Sequence, residues 1–253
     1  MPNVSTGGIM AYMLSTWRNT FAIFWKETKT YFTSPMAYII GGVFLAITGY
    51  LFVSSISVAF PEASIRGWLD PSTTVFVLWA PAITMRLLAE EQKLGTLELL
   101  MTSPIRDYEI VLGKFAAVMA ILLATLVLTL FYTLLLVLYG DPDLGPILTG
   151  YLGIILFGGA SLSIGLLASS LTSNQVVAAI VSFGTLLLMV LTNQAADITS
   201  GVAAQVLEGV SLSGHFDDFS RGILDTNNVV YYLSVMAFFL FLTIRNIESR
   251  RWR

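Results

Sequence analysis

Six apolar runs, residues 36–59, 71–88, 115–139, 147–171, 176–196 and 229–244, are separated by short polar segments. An α-helix rises about 1.5 Å per residue and the hydrocarbon core of a bilayer is about 30 Å thick, so about 20 apolar residues complete one crossing. The first run holds 24 residues without a charge, which permits tilt. It follows Ser34 and Pro35, a helix-starting pair. The second contains Pro81, which predicts a kink, and ends near Arg86, whose long side chain reaches the membrane edge. The third is unbroken until Gly140, Asp141 and Pro142, a turn signal. Thr172 to Gln175 leaves room only for a tight turn, so the fourth and fifth runs form a helical hairpin. The sixth run, at 16 residues, is short for a crossing. Ile223 and Leu224 before it, or a snorkelling Arg245 after it, would close the gap.

Residues 10–33 carry a different period. At 100° per residue, Met10, Met13, Leu14, Trp17, Phe21, Phe24, Trp25, Tyr31 and Phe32 fall within an arc of about 120°, with Arg18, Lys26 and Lys29 on the polar side. Trp and Tyr favour the headgroup level, which suits an amphipathic helix lying in the plane of the membrane. A helix packed on a soluble element is the alternative. The segment does not read as a signal peptide, because no basic start is followed by an apolar run and a small-residue cleavage site. The expected fold is an all-α membrane protein forming one transmembrane domain over residues 1–253, with six spans behind an interfacial helix. Composition agrees: 56% of residues are hydrophobic and 11% charged, where soluble domains carry about 25% charged.

Charge then gives sidedness. Six spans place both termini on one side, together with eleven of the thirteen Lys and Arg residues; only Arg66 and Arg221 fall opposite. By the positive-inside rule both termini and the loop over residues 89–114 are cytoplasmic, and residues 197–228 are extracytoplasmic.

Little chemistry is available. With no cysteine in the chain, thiolate chemistry and disulfides are excluded. The single histidine, His215, lies near Asp217 and Asp218 in a spacing that matches no metal motif, so no metal site is assigned. These read as surface residues by a short amphipathic helix with Phe216, Phe219 and Ile223 inward. No catalytic constellation and no Walker A sequence occur, so the chain is not expected to be an enzyme or to hydrolyse nucleotide. No charge sits at the middle of a span, which disfavours ion-driven transport. Thr48, Thr125, Thr129, Thr133, Ser161, Ser163, Ser182 and Thr185 read as partners of helix backbone. Ser161, Gly165, Ser169 and Ser173, spaced by four, form a small-residue ridge for close helix packing, against span five or against a second copy.

The loop from Arg86 to Lys114 holds nine of the chain's 29 charged residues. Span two continues to Glu90 and Glu91, Gly95 interrupts it, and a short helix follows with Thr96 as a candidate N-cap. Leu94, Leu97 and Met101 share one side of that helix and Glu98 faces away. Ser103 and Pro104 stop it and start the next, Ser as N-cap and Pro at the first helical position.

The pattern EEQKLGTLELLMTSPI followed by EIVLGK resembles the segment between spans two and three of ABC-2 type transporter permeases. The resemblance extends to the in-plane helix, the six spans and the shared side of the termini. The run GHFDDFSRGILDTNNVVYYLSVMAFFLFLTIRNIESRRWR is similar to the gliding-motility-associated permease subgroup. What this implies is a permease subunit of ABC-2 exporter type in the bacterial inner membrane, whose energy comes from a separate ATPase. The chain itself would bind no cofactor; ATP and Mg would sit on the ATPase. Glu90 and Glu91 would lie at the end of span two, with Gly95, Thr96, Glu98, Leu99 and Leu100 on a coupling helix that contacts the ATPase and Ser103 and Pro104 at its exit. Implied partners are two ATPase copies, a second permease copy as a homodimer, an extracytoplasmic accessory protein and membrane lipid, with no nucleic acid. Competing readings are a channel or secondary transporter, and a membrane anchor that transports nothing.

Overall fold

The computed structural model describes residues 6–57, 64–102 and 105–251, without the side chains of residues 6–15, 101, 197 and 251. Met10, Met13 and Leu14 of the expected apolar arc, Met101, and the whole of Ser103 and Pro104 therefore lie outside what is described. The described residues form helices and no strand. In order they are α1 (Thr6–Thr33), α2 (Pro35–Ile56), α3 (Arg66–Thr84), α4 (Ala89–Leu94), α5 (Thr96–Thr102), α6 (Asp107–Tyr139), α7 (Leu144–Leu171), α8 (Gln175–Ile198), α9 (Val202–Val210), α10 (Asp217–Ser220) and α11 (Thr226–Arg251). Six stretches among them are long and apolar enough to cross a membrane, the second running from Arg66 through α4 to Leu94. The protein is an all-α membrane protein.

Local chemistry sets the helix ends. Pro35 opens α2 behind an extended Ser34, where its missing N–H removes no helical bond. Asp143 caps α7 by accepting from Gly145 N at 3.0 Å, and Asn174 caps α8 by accepting from Val176 N and Val177 N. The turn between α7 and α8 is thus three residues, Thr172 to Asn174.

Helix α7 is the centre of the bundle, buried along most of its length and packed by α3, α6, α8 and α11. In lipid, helices associate through close packing rather than through escape from water, so small residues at contacts matter. Gly165 provides such a contact: a Cβ there would land on the Thr84 side chain of α3. Gly153 receives Phe219 and Phe216 from the α10 region in the same way. Phe44, Phe76, Trp79 and Phe157 meet edge to face or tilted at ring separations of 5.2–5.8 Å, joining α2, α3 and α7.

Several boundaries differ from the sequence reading. Helix α11 extends the 16-residue sixth run to 26 residues. Its polar flanks do not end it, because neighbours satisfy them: Asn228 donates to Asp218 Oδ2 at 2.8 Å and Asn246 to Ser170 O at 2.7 Å. Helix α6 starts at Asp107 rather than at Pro104, with Ile105 and Arg106 non-helical and Arg106 N donating to Glu109 Oε2 at 3.1 Å. Helix α3 begins at Arg66, before Pro71, and gives way after Thr84 to a turn over residues 85–88, one turn past Pro81. In the segment before α11, Phe216 and Phe219 are buried, but Ile223 is exposed because Gly222, at φ 89°, turns the chain outward. His215 stacks on Tyr231 at 3.8 Å and its Nδ1 lies 2.7 Å from Ser211 O.

The polar residues of the spans mostly bond to their own helices. Thr48, Thr125, Ser161 and Thr185 each donate to the carbonyl four residues back, and Ser163 to that of Ala160. Thr129 and Thr133 also meet the Tyr151 hydroxyl at 3.2 Å.

Candidate functional site

The basic end of the bundle, where α1, α4, α5 and the last turns of α11 gather, holds the ion pairs of Lys26, Arg86, Lys114 and Arg245. Its construction begins at the joint between α3 and α4. Ser169 of α7 places its hydroxyl there: Oγ accepts from Leu88 N and Ala89 N, each at 3.0 Å, and donates to Met85 O at 3.1 Å. One side chain thus satisfies backbone groups that a broken helix would leave bare. Of the small-residue ridge, Ser161 and Gly165 are buried along α7, Ser169 holds this joint, and Ser173 is exposed beyond the helix. The close approach that Gly165 permits is to α3, not to α8, because Thr84 occupies the space beside it.

Helix α4 carries Glu90 and Glu91. Glu90 pairs with Arg86 at 3.6 Å on a half-exposed face, an ion pair of small energetic weight. Glu91 turns inward to Lys114 at 2.9 Å. Lys114 is 1% exposed and completes its donor set with Glu27 of α1 at 2.9 Å and the Leu87 carbonyl at 2.8 Å. Lys26 lies 3.6 Å from Glu91 and 3.7 Å from Glu27. A buried ammonium is tolerated only when fully paired, and Lys114 meets two carboxylates and a carbonyl.

This cluster fixes α1. Along one side of α1, Thr16 meets Tyr108, Asn19 donates to Glu109 at 3.1 Å, Ile23 packs on Gly113, Glu27 binds Lys114, and Tyr31 donates to Ile83 O at 2.7 Å. A Cβ at Gly113 would come within 2.9 Å of Ile23, so the glycine allows the two helices to touch. Burial pushes the Tyr31 phenol well above its ordinary pKa, with the neighbouring Glu27 charge adding to the shift. Helix α1 therefore has three sides: a docked strip on α6 and the end of α3, an exposed aromatic side with Trp17, Phe21, Trp25 and Phe32, and an exposed basic side with Arg18, Lys26 and Lys29. The sequence period put Tyr31 in the apolar arc, whereas it docks beside Glu27 with its hydroxyl on Ile83 O, and the period did not divide the polar side into docked and solvated halves. The signal was Glu27 itself, an acid at a helical spacing from Asn19, Ile23 and Tyr31 rather than among the basic residues.

Helix α5 hangs from this assembly. Gly95, at φ 71°, ends α4 in the left-handed conformation that glycine adopts without penalty. α5 starts at Thr96, whose hydroxyl reaches back to Glu91 O at 3.4 Å. Leu97 is 3% exposed while Leu99 is 71% exposed, and Glu98 is exposed beside it; Leu100 is half-buried. Leu94 does not share the side of Leu97, being exposed, because the turn at Gly95 breaks the helical phase between them. A groove of about 420 Å³ separates α5 from α11, lined by Gln92, Leu97, Glu98, Asn246 and Arg250 among others. At its base Gln92, Asn246 and Arg250 all donate to the Ser170 carbonyl, at 2.9, 2.7 and 3.1 Å. That convergence on the end of α7 joins residues far apart in the chain and left no local pattern in the sequence.

Comparison with known proteins meets this architecture at α3 to α8. Residues 72–196 match the family described as ABC-2 family transporter protein. The ABC-2 match includes α4, α5, the Lys114 cluster apart from α1, and the whole of α7. The probable multidrug ABC transporter permease YbhR of Escherichia coli K12 is 30% identical over 129 residues, covering 45% of this chain and 34% of that protein. Its counterpart in Escherichia coli O157:H7 gives the same figures. The chain thus spans about a third of the length of the curated relatives it matches.

Proposed function

We propose that this chain is the transmembrane permease subunit of an ATP-driven ABC exporter, and that α5 is the helix on which a separate ATPase subunit acts. The observation that carries the reading is a short helix with an exposed Glu98–Leu99 surface, lying inside the ABC-2 match and tied to several spans. Force on α5 passes through Gly95 to α4, then by Ser169 to α7, by Glu91 and Lys114 to α6 and α1, and by Gln92 to the Ser170 carbonyl shared with α11. Four candidate spans are thus moved together, which is what switching a pathway between two access states requires. ATP and Mg reside on the partner, present in two copies, and a second permease copy completes a homodimer. An extracytoplasmic accessory protein would meet the opposite end, at α9 and α10. The basic end is cytoplasmic under the positive-inside rule. The narrower similarity to gliding-motility-associated permeases rests on the sequence of residues 214–253 alone.

The test is reconstitution with the ATPase. Gly95→Val and Glu98→Lys leave membrane insertion unchanged while ATP hydrolysis no longer drives transport; full coupling in both variants overturns the assignment.

A further inference from the structure

The groove of about 420 Å³ at the basic end has one wall on α5 and the other on α11, and its lining is polar. Gln92, Glu98, Asn246, Ser249 and Arg250 line it, and the only large apolar side chain among its lining residues, Leu97, is 3% exposed. Sites for small molecules are mostly apolar with a few polar groups. A polar groove of this kind suits the side chains of another protein, whose surfaces meet through hydrogen bonds and paired charges around a smaller apolar centre.

The charges in it are set for such a partner. Arg250 is exposed, yet its guanidinium donates to the Ser170 carbonyl at 3.1 Å, the same carbonyl that takes Gln92 and Asn246. That bond uses one of the five donors of the guanidinium. Arg245, five residues earlier on α11, pairs with Glu248 at 2.8 Å, whereas the ion pairs among the described residues leave Arg250 out. They leave out Glu98 on the opposite wall as well, although it is exposed and lines the same groove. A lone surface charge says little. Here two charges of opposite sign stand on the two walls of one groove without meeting, and the cation is already held in place, so less freedom is lost when a carboxylate reaches it. The groove also adjoins the exposed Leu99 of α5.

From this we infer that the groove between α5 and α11 is a second part of the ATPase contact, receiving a segment of the ATPase that carries a carboxylate to Arg250 and a cationic side chain to Glu98. The inference rests on the reading of α5 as the ATPase helix and goes beyond it by adding the end of α11. The partner holds α5 on two sides, through Leu99 outside and through the groove within. The opposed charges fix the register of the bound segment and disfavour one of reversed polarity.

The test places a photoreactive amino acid at Ser249, on the α11 side of the groove, and in a separate protein at Leu99, with irradiation in cells and the ATPase identified by its Walker A peptide. Both positions give the ATPase adduct. Arg250→Gln, which keeps a donor for the Ser170 carbonyl but removes the charge, lowers the Ser249 adduct at least fivefold. Glu98→Gln, which breaks no ion pair within the described chain, does the same from the other wall, while Arg18→Gln on the exposed side of α1 leaves the adduct unchanged. An adduct from Leu99 with none from Ser249 overturns the groove and leaves the α5 reading standing; no adduct from either position removes both. A Ser249 adduct that survives both Arg250→Gln and Glu98→Gln, or that falls equally with Arg18→Gln, overturns the charge pairing on which the proposal depends.

Discussion

Replacing Lys114 by methionine removes the only cation among the described residues that touches both Glu27 and Glu91 at hydrogen-bond distance, while keeping most of the side-chain volume. Two carboxylates that Lys114 held at 2.9 Å then face each other with little water, and the Leu87 carbonyl loses its donor. Lys26, at 3.6–3.7 Å and exposed, compensates only in part. Breaking a buried pair by deleting one partner costs about 3–5 kcal/mol, because the remaining charge is left uncompensated. For a chain of this size each kcal/mol moves the midpoint by about 2–4 °C, so Lys114→Met lowers Tm by roughly 6–20 °C in fixed detergent. Adding Glu27→Gln removes one stranded charge. The double variant is therefore more stable than Lys114→Met alone, with a coupling energy above about 0.5 kcal/mol in the double-mutant cycle. The assay is thermal unfolding followed by tryptophan fluorescence. A loss below about 2 °C in Lys114→Met, or strict additivity with Glu27→Gln, refutes the claim that this cluster fastens α1 to α4 and α6.

Other positions give independent checks. Gly165→Ala drives a methyl into Thr84, costing about 1–3 kcal/mol as overpacking; an unchanged Tm would show that α7 and α3 do not meet there. Ser169→Ala strips the acceptor from two buried amides, so exchange at Leu88 and Ala89 rises at least about tenfold, the equivalent of 1.4 kcal/mol; unchanged protection contradicts the joint. Tyr31 has its pKa raised in the folded state, so its contribution is full below the unfolded value near 10 and is lost as pH rises above it. Tyr31→Phe accordingly flattens the fall of stability with pH above about 10, and an identical alkaline slope in both proteins counts against the buried Tyr31 phenol.

The sequence carried the parts of this structure that depend on short-range pattern. Five apolar runs long enough to cross, with a sixth of 16 residues, marked the six candidate spans, and Gly95 announced the break between α4 and α5 because its left-handed backbone permits so abrupt a turn there. Where tertiary partners decide, local pattern misled. The sixth apolar run covers only residues 229–244, yet α11 runs on through Asn228 and Asn246 because Asp218 and Ser170 take their hydrogen bonds. Leu94 shared a helical period with Leu97 only while the turn between them was ignored. The Lys114 cluster is assembled from residues as far apart as Glu27 and Lys114, and a single sequence shows no trace of that pairing beyond an acid placed on the uncharged strip of α1. Residues Glu90, Glu91, Gly95, Thr96, Glu98, Leu99 and Leu100 do fall in one region, but their sides differ: Glu91 serves the interior, and Glu98 and Leu99 face out.

The central claim is that α5 is the contact for an ATPase. It is tested most directly by a photoreactive amino acid placed at Leu99, exposed at the basic end, and in separate proteins at Leu97, which is buried, and at Tyr139, exposed at the opposite end. Irradiation in cells should link Leu99 to an ATPase subunit identified by its Walker A peptide, with no such product from Leu97 or Tyr139. No ATPase adduct from Leu99, or equal adducts from Leu99 and Tyr139, would contradict the account.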